Sequence, residues 1–146
     1  MDPQRYPVIS VVYSSTATSP FSDADLAALL TVSRRNNAGN GVTGMLLYRD
    51  GRFLQLLEGP FRPVHDLMER IADDTGHRDV RVLIDEIVDS RQFPEWTMGF
   101  QPVAVAEEAS IPGYRKTFDD LADDTDDVSS TTPAVRALIR WFQSAP

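Results

Sequence analysis

The sequence predicts an α+β fold in the order β-α-β-β-α-β-β, with two helices on one face of a five-stranded mixed sheet and a helical extension at the C-terminus. Three observations predict it: segments of alternating apolar residues interleaved with two segments of helical period, an Asp50-Gly51 turn between neighbouring strand patterns, and a change of composition after residue 105. Length agrees. At 146 residues, 42% hydrophobic and 25% charged, the chain is one ordinary domain with a real core and a short appendage.

The first strand is expected over residues 8–14, with Ile9, Val11 and Tyr13 on one face. Ser22-Asp23-Ala24-Asp25 then reads as a helix start, a serine cap with an acid three residues on, and the helix runs to about Asn37. The turn chemistry of Asn37-Ala38-Gly39-Asn40-Gly41 stops it. Strands over 42–48 and 52–58 meet at Asp50-Gly51, the strongest short hairpin signal. Pro60 and Pro63 suit the first turn of a second helix, whose apolar stripe is Val64, Leu67, Met68 and Ile71. Residues 80–88 make a fourth strand and 96–103 a fifth, with Trp96, Met98 and Phe100 on one face. This is the ferredoxin-like split βαβ plan with an added strand.

The plan places a domain over residues 1–104 and an extension over 105–146. In the extension, Asp119-Asp120 and Asp123-Asp124-Thr125-Asp126-Asp127, followed by Ser129-Ser130-Thr131-Thr132, read as a solvated acidic linker. Thr132 and Pro133 cap and open a last helix with the stripe Val135, Leu138, Ile139 and Phe142. So short a helix is marginal alone and needs a docking surface, for which the other face of the sheet is expected.

Charge and composition exclude several function classes. A formal net charge of −8 argues against nucleic acid and anionic membranes as partners. The absence of cysteine removes disulfides, thiolate metal sites and cysteine nucleophiles, and fits a reducing compartment. No apolar run approaches the roughly 20 residues of a membrane span, and the N-terminus lacks signal-peptide character, so a cytoplasmic protein is expected. Asn40-Gly41-Val42-Thr43-Gly44 is glycine-rich without the lysine or spacing of a phosphate loop. His65 and His77 are not at metal-ligand spacing, and no serine sits in a nucleophile elbow. The chain is expected not to be an enzyme.

Polar residues occur where apolar ones belong. Leu26, Leu29 and Leu30 define the core face of the first helix, and at helical spacing Ser33 and Asn37 fall on it too. Buried and unpaired, each would cost about 1–3 kcal/mol. Gln55 sits between Phe53 and Leu57 on one strand face, and the Tyr13 hydroxyl needs a partner beside Ile9 and Val11. Each has an ordinary structural reading as well: a helix cap, a strand glutamine bonded to its neighbours, a strand tyrosine. Together Tyr13, Ser33, Asn37 and Gln55 have the composition of a small-molecule pocket.

The segments Tyr13-Ser14, Ser33-Arg34-Arg35-Asn36-Asn37, Gly41-Val42-Thr43-Gly44-Met45-Leu46-Leu47-Tyr48, Phe53-Leu54-Gln55-Leu56-Leu57-Glu58-Gly59-Pro60 and Arg91-Gln92-Phe93-Pro94-Glu95-Trp96-Thr97-Met98-Gly99-Phe100 resemble, in order and spacing, the BLUF (blue light using flavin) domain. The resemblance spans roughly residues 8 to 102. It implies a blue-light photoreceptor that holds a flavin non-covalently between the two helices: FAD, with FMN or riboflavin as alternatives. It implies that Tyr13 donates an electron and a proton to the excited flavin and that Gln55, which also contacts the flavin, rearranges its amide. Asn37 and Asn36 would bind the ring, Arg70 and Asp74 would lie near the ring and ribityl chain, and His77 would follow the second helix among the cofactor contacts. Trp96 and Met98, with Ser33 nearby, would carry the signal through the fifth strand and C-terminal helices. Asp74-Thr75-Gly76-His77 has glycine where the family usually has arginine, which bears on the choice of flavin. The implied partners are the flavin, further copies of the chain in a dimer or larger oligomer, and a downstream protein. Two readings compete: a small flavin-dependent oxidoreductase, which would need a nicotinamide or substrate motif, and a ligand-free interaction module.

Overall fold

The structure, a computed structural model, describes residues 8–18, 22–49, 51–73, 77–93, 99–100, 105–122 and 131–144. The α+β class expected from the sequence is what it shows. The chain divides into two compact units, Met1–Gln101 and Pro102–Pro146.

The first unit is built on a four-stranded antiparallel sheet. β1 is Val8–Ala17, β2 Thr43–Arg49, β3 Arg52–Pro60 and β4 His77–Val88. They lie in the order β4-β1-β3-β2, and a two-residue β5, Gly99–Phe100, runs parallel to β2 at the far edge. Of the strand expected over 96–103, these two residues are described; Trp96 and Met98 lie outside the described residues. The hairpin turn sets the register of the centre. Gly51 takes the left-handed conformation at φ 82, Arg49 opposes Arg52, and Leu46 therefore opposes Gln55. On the other side of β3, Tyr13 opposes Gln55 directly.

Helix α1, Asp23–Asn40, begins with the capping box read from the sequence. The Ser22 hydroxyl accepts the Asp25 N–H at 3.1 Å, and the Asp25 carboxylate accepts the Ser22 N–H at 2.9 Å. These bonds hold the Asp25 carboxyl below the usual carboxylate range. The helix outruns its expected end at Asn37, because Gly41 at φ 70 supplies the left-handed stop and the residues before it stay helical. Helix α2 is Phe61–Asp73. Between the two helices and the sheet lies the core: Ile9, Val11 and Tyr13 from β1, Leu26 and Leu30 from α1, Leu46, Phe53 and Leu57 from the hairpin, and Val64 from α2. Leu57 and Val64 are 0% exposed, and such burial contributes about 1.5–3 kcal/mol per side chain.

After β4 the chain is tied back to the sheet. Glu58 of β3, also 0% exposed, accepts the backbone N–H groups of Gln92 and Phe93 at 2.8 Å. Arg91 donates to the Gly41 carbonyl at 2.7 Å and to the Thr43 hydroxyl at 3.0 Å. Burial pushes the Glu58 carboxyl above its usual range, opposed by those two N–H donors and by Arg91.

The second unit corrects the expected linker in part. Residues 105–110 form a 3₁₀ helix, and α3, Tyr114–Ala122, takes in Asp119 and Asp120. Its stripe of Tyr114, Phe118 and Leu121 is buried, a helical period that the neighbouring acids obscured in the sequence. Asp120 accepts from Lys116 at 3.0 Å and from the Thr131 hydroxyl at 2.8 Å, which ties α3 to the start of α4, Thr132–Ser144. Val135, Leu138, Ile139 and Phe142 of α4 are buried as expected. Residues 123–130 lie outside the described residues.

Candidate functional site

A cleft opens between α1 and α2, with the sheet as its floor. Tyr13, Leu46, Phe53 and Gln55 make the floor; Leu29, Ser33, Asn36 and Asn37 line the α1 side, and Leu67 and Ile71 the α2 side. The spacing explains the walls. Residues 29, 33, 36 and 37 recur at one helical face, as do 67 and 71. Four sequence-predicted polar residues, Tyr13, Ser33, Asn37 and Gln55, are thus brought to one place, with Asn36 beside them.

Strand alternation and register set the centre of the floor. Tyr13 and Gln55 are directly opposed on neighbouring antiparallel strands, so their side chains emerge on the same face. The Tyr13 hydroxyl donates to Gln55 Oε1. Tyr13 is 1% exposed, and burial pushes its phenol well above the usual tyrosine range, so the group is neutral. Gln55 is half-buried between Phe53 at 1% and Leu57 at 0% exposure. The floor is therefore a neutral phenol bonded to an amide within an apolar surround.

Asn37 is 2% exposed. Its backbone carbonyl, not its side chain, terminates the helix, accepting the Gly41 N–H and, at 3.1 Å, the Val42 N–H. Asn37 is also one of the residues that line the cleft. Asn36 is exposed at the rim and Ser33 half-buried. Arg70 is exposed on the last turn of α2 and is not among the cleft-lining residues. His77 opens β4, Asp74 lies outside the described residues, and so do Trp96 and Met98.

Sequence reading missed Leu46 as a floor residue, although the hairpin turn carried the signal by placing it opposite Gln55. It also gave no role to Glu58 and Arg91, because nothing local marks a buried acid whose partners lie more than thirty residues away. Among the described residues no group of His, Cys, Asp and Glu could hold a metal ion, and no helix is long and apolar enough to cross a membrane.

Residues 8–99 match the family model for BLUF, described as sensors of blue-light using FAD. The chain is 34% identical over 136 residues to photoactivated adenylate cyclase subunit beta of Euglena gracilis, covering 91% of this chain and 15% of that protein. The corresponding subunit of Euglena longa is 33% identical at the same coverage. Among solved structures, the chain is similar to the dark-state structure of BlrB, a BLUF protein, at a TM-score of 0.75 and 27% identity, covering 95% of this chain and 97% of that one. It is also similar to BlsA in its photo-activated state, at a TM-score of 0.74 and 25% identity, covering 95% and 96%. The chain thus spans about 15% of the cyclase subunits it matches and nearly the whole of BlrB and BlsA. The part shared is a sensor domain rather than an enzyme. With a match over residues 8–99, on a fold whose cleft holds a buried phenol–amide pair, the chain belongs to the BLUF family of flavin-binding blue-light sensors.

Proposed function

We propose that the light switch of this sensor is the Tyr13–Gln55 pair, and that the flavin is FAD, held between α1 and α2 by Asn36, Asn37 and Gln55 and along its length by Arg70, Asp74 and His77. The observation that carries this reading is the hydrogen bond from the Tyr13 hydroxyl to Gln55 Oε1 on the cleft floor. The residues present fit such a ligand. Apolar walls from Leu29, Leu67 and Ile71 suit a flat ring, and the amides of Asn37 and Gln55 suit its polar edge. Gly76, where arginine is usual, makes FMN or riboflavin the alternative ligands.

A bound flavin supplies the absorption of blue light and, once excited, an oxidant able to take an electron from a neutral phenol. Burial keeps Tyr13 protonated, so it holds both the electron and the proton to be given up. The hydrogen bond gives that proton a path toward Gln55 Oε1. The carboxamide presents an acceptor at one end and a donor at the other. Exchanging those ends, by rotation or tautomerisation, reverses its bond to Tyr13 while β1 and β3 keep their register. The altered pair biases a two-state element, the fifth strand carrying Trp96 and Met98 with Ser33 alongside, and the C-terminal helices pass the change to a further copy of the chain or a downstream protein. We take the sensor as residues 1–104 of ferredoxin-like plan, the output as 105–146, and the protein as cytoplasmic.

Absorption spectroscopy of the flavin-loaded protein tests this. A small red shift of the flavin band under blue light, reversing in the dark, is expected in the parent and absent in Tyr13→Phe and Gln55→Leu while flavin stays bound. A normal photocycle in either variant refutes the assigned roles.

A further inference from the structure

We propose that Glu58 is a positioning residue for the switch: with Arg91 it fixes the start of the segment that joins β4 to β5, so that this segment responds to Gln55 from a fixed point. The proposal rests on the reading of Tyr13 and Gln55 as the switch. β3 carries Gln55 on its cleft face and Glu58, three residues on, on the opposite face. Glu58 is 0% exposed, and its Oε1 accepts the N–H groups of both Gln92 and Phe93 at 2.8 Å. Its Oε2 lies at the same distance from the Gln92 N–H. Arg91 completes the fastening with bonds to the Gly41 carbonyl at 2.7 Å, the Thr43 hydroxyl at 3.0 Å and the Glu58 carbonyl at 3.4 Å. Residues 91–93 are thereby held to β3, to β2 and to the end of α1 together.

The other end of the joining segment is held as well. Gly99 opposes Met45 and Phe100 opposes Leu46, and Leu46 in turn opposes Gln55 on β3. Residues 91–93 and 99–100 are therefore both fastened to the strands that frame Gln55. A change at Gln55 that reaches β5 through Leu46 is thus made against residues that Glu58 keeps in place on β3. A buried carboxylate converging on two backbone N–H groups is a stronger tether than a neutral acceptor would be.

The test uses the flavin-loaded full chain and the variants Glu58→Gln and Arg91→Lys, which keep side-chain size or charge and so preserve the fold where Glu58→Ala fails to. Hydrogen exchange at the Gln92 and Phe93 amides is read alongside the light-induced red shift and its dark recovery. In Glu58→Gln, exchange at these amides quickens about tenfold, as expected for loss of a bond to a charged acceptor. Flavin binding and the size of the red shift are kept, while the dark-recovery time changes several-fold; Arg91→Lys moves both readouts the same way by less. Unchanged exchange overturns the anchor. Faster exchange with parental recovery reduces Glu58 to a structural residue and overturns its link to the switch. A parent protein with no red shift at all refutes the switch reading itself, a different result from a parent that shifts beside variants that recover normally.

Discussion

The hydrogen bond between Tyr13 and Gln55 has an energetic signature that a double-mutant cycle reads directly. Its two ends are unequally buried. Tyr13 is 1% exposed and, among the described residues, its hydroxyl bonds to Gln55, whereas Gln55 is half-buried and engaged in a further interaction. Tyr13→Phe removes one bond and leaves the amide with its other contact, at a cost of about 1 kcal/mol. Gln55→Leu strands the phenol hydroxyl in the core, which adds its desolvation penalty and brings the cost to about 2–3 kcal/mol. In the double variant an apolar pair replaces a polar one, so the two losses are not additive and a coupling of about 1–2 kcal/mol is expected. Urea unfolding followed by circular dichroism measures all four corners of the cycle. Equal costs for the two single variants, or strict additivity in the double, would show that the two side chains do not act as a bonded pair.

Three further outcomes follow from the same geometry. Thr117 is 0% exposed and, among the described residues, its hydroxyl has no hydrogen-bond partner, so Thr117→Val raises stability by about 1 kcal/mol in thermal melts; an unchanged or lower midpoint means the hydroxyl is satisfied. A Cβ on Gly44 would lie 1.9 Å from the Leu56 carbonyl oxygen, a backbone atom that cannot step aside, so Gly44→Ala costs about 2–3 kcal/mol and weakens the β2–β3 pairing. Parental stability in that variant would mean the strands pack less closely than they do here. Because burial raises the Tyr13 phenol above its unfolded value, the proton on Tyr13 contributes stability that is complete below about pH 10 and lost as pH rises beyond it. Alkaline unfolding of Tyr13→Phe is correspondingly shallower; identical alkaline limbs would mean the phenol titrates freely in the folded protein.

Elements whose signals are local were legible in the sequence, and so was most of the pocket. The Ser22 capping box, the turn at Gly51 and the stripe of α2 each depend on residues within a turn or two of one another. Tyr13, Ser33, Asn37 and Gln55 could be brought together because alternation and helical period assign faces, and polar residues on apolar faces stand out. Non-local partners were not legible. Glu58 reads as one more charged strand residue until Gln92 and Phe93 are folded onto it. The stripe of Tyr114, Phe118 and Leu121 went unread because the acids at its end, Asp119 and Asp120, read as linker. The end of α1 drifted for a local reason. α1 continues to Asn40 because the left-handed Gly41, rather than the polar run before it, is what stops the helix.

The central claim is that a buried phenol and the carboxamide it bonds convert absorbed blue light into a changed hydrogen-bond pattern. The absorption spectrum of the purified protein, taken before and after a blue flash, tests it most directly. The expected result is a bound-flavin band that moves slightly to the red, relaxes in the dark, and does not move in Tyr13→Phe. A colourless protein, or a flavin band that shifts as fully in Tyr13→Phe as in the parent, would contradict it.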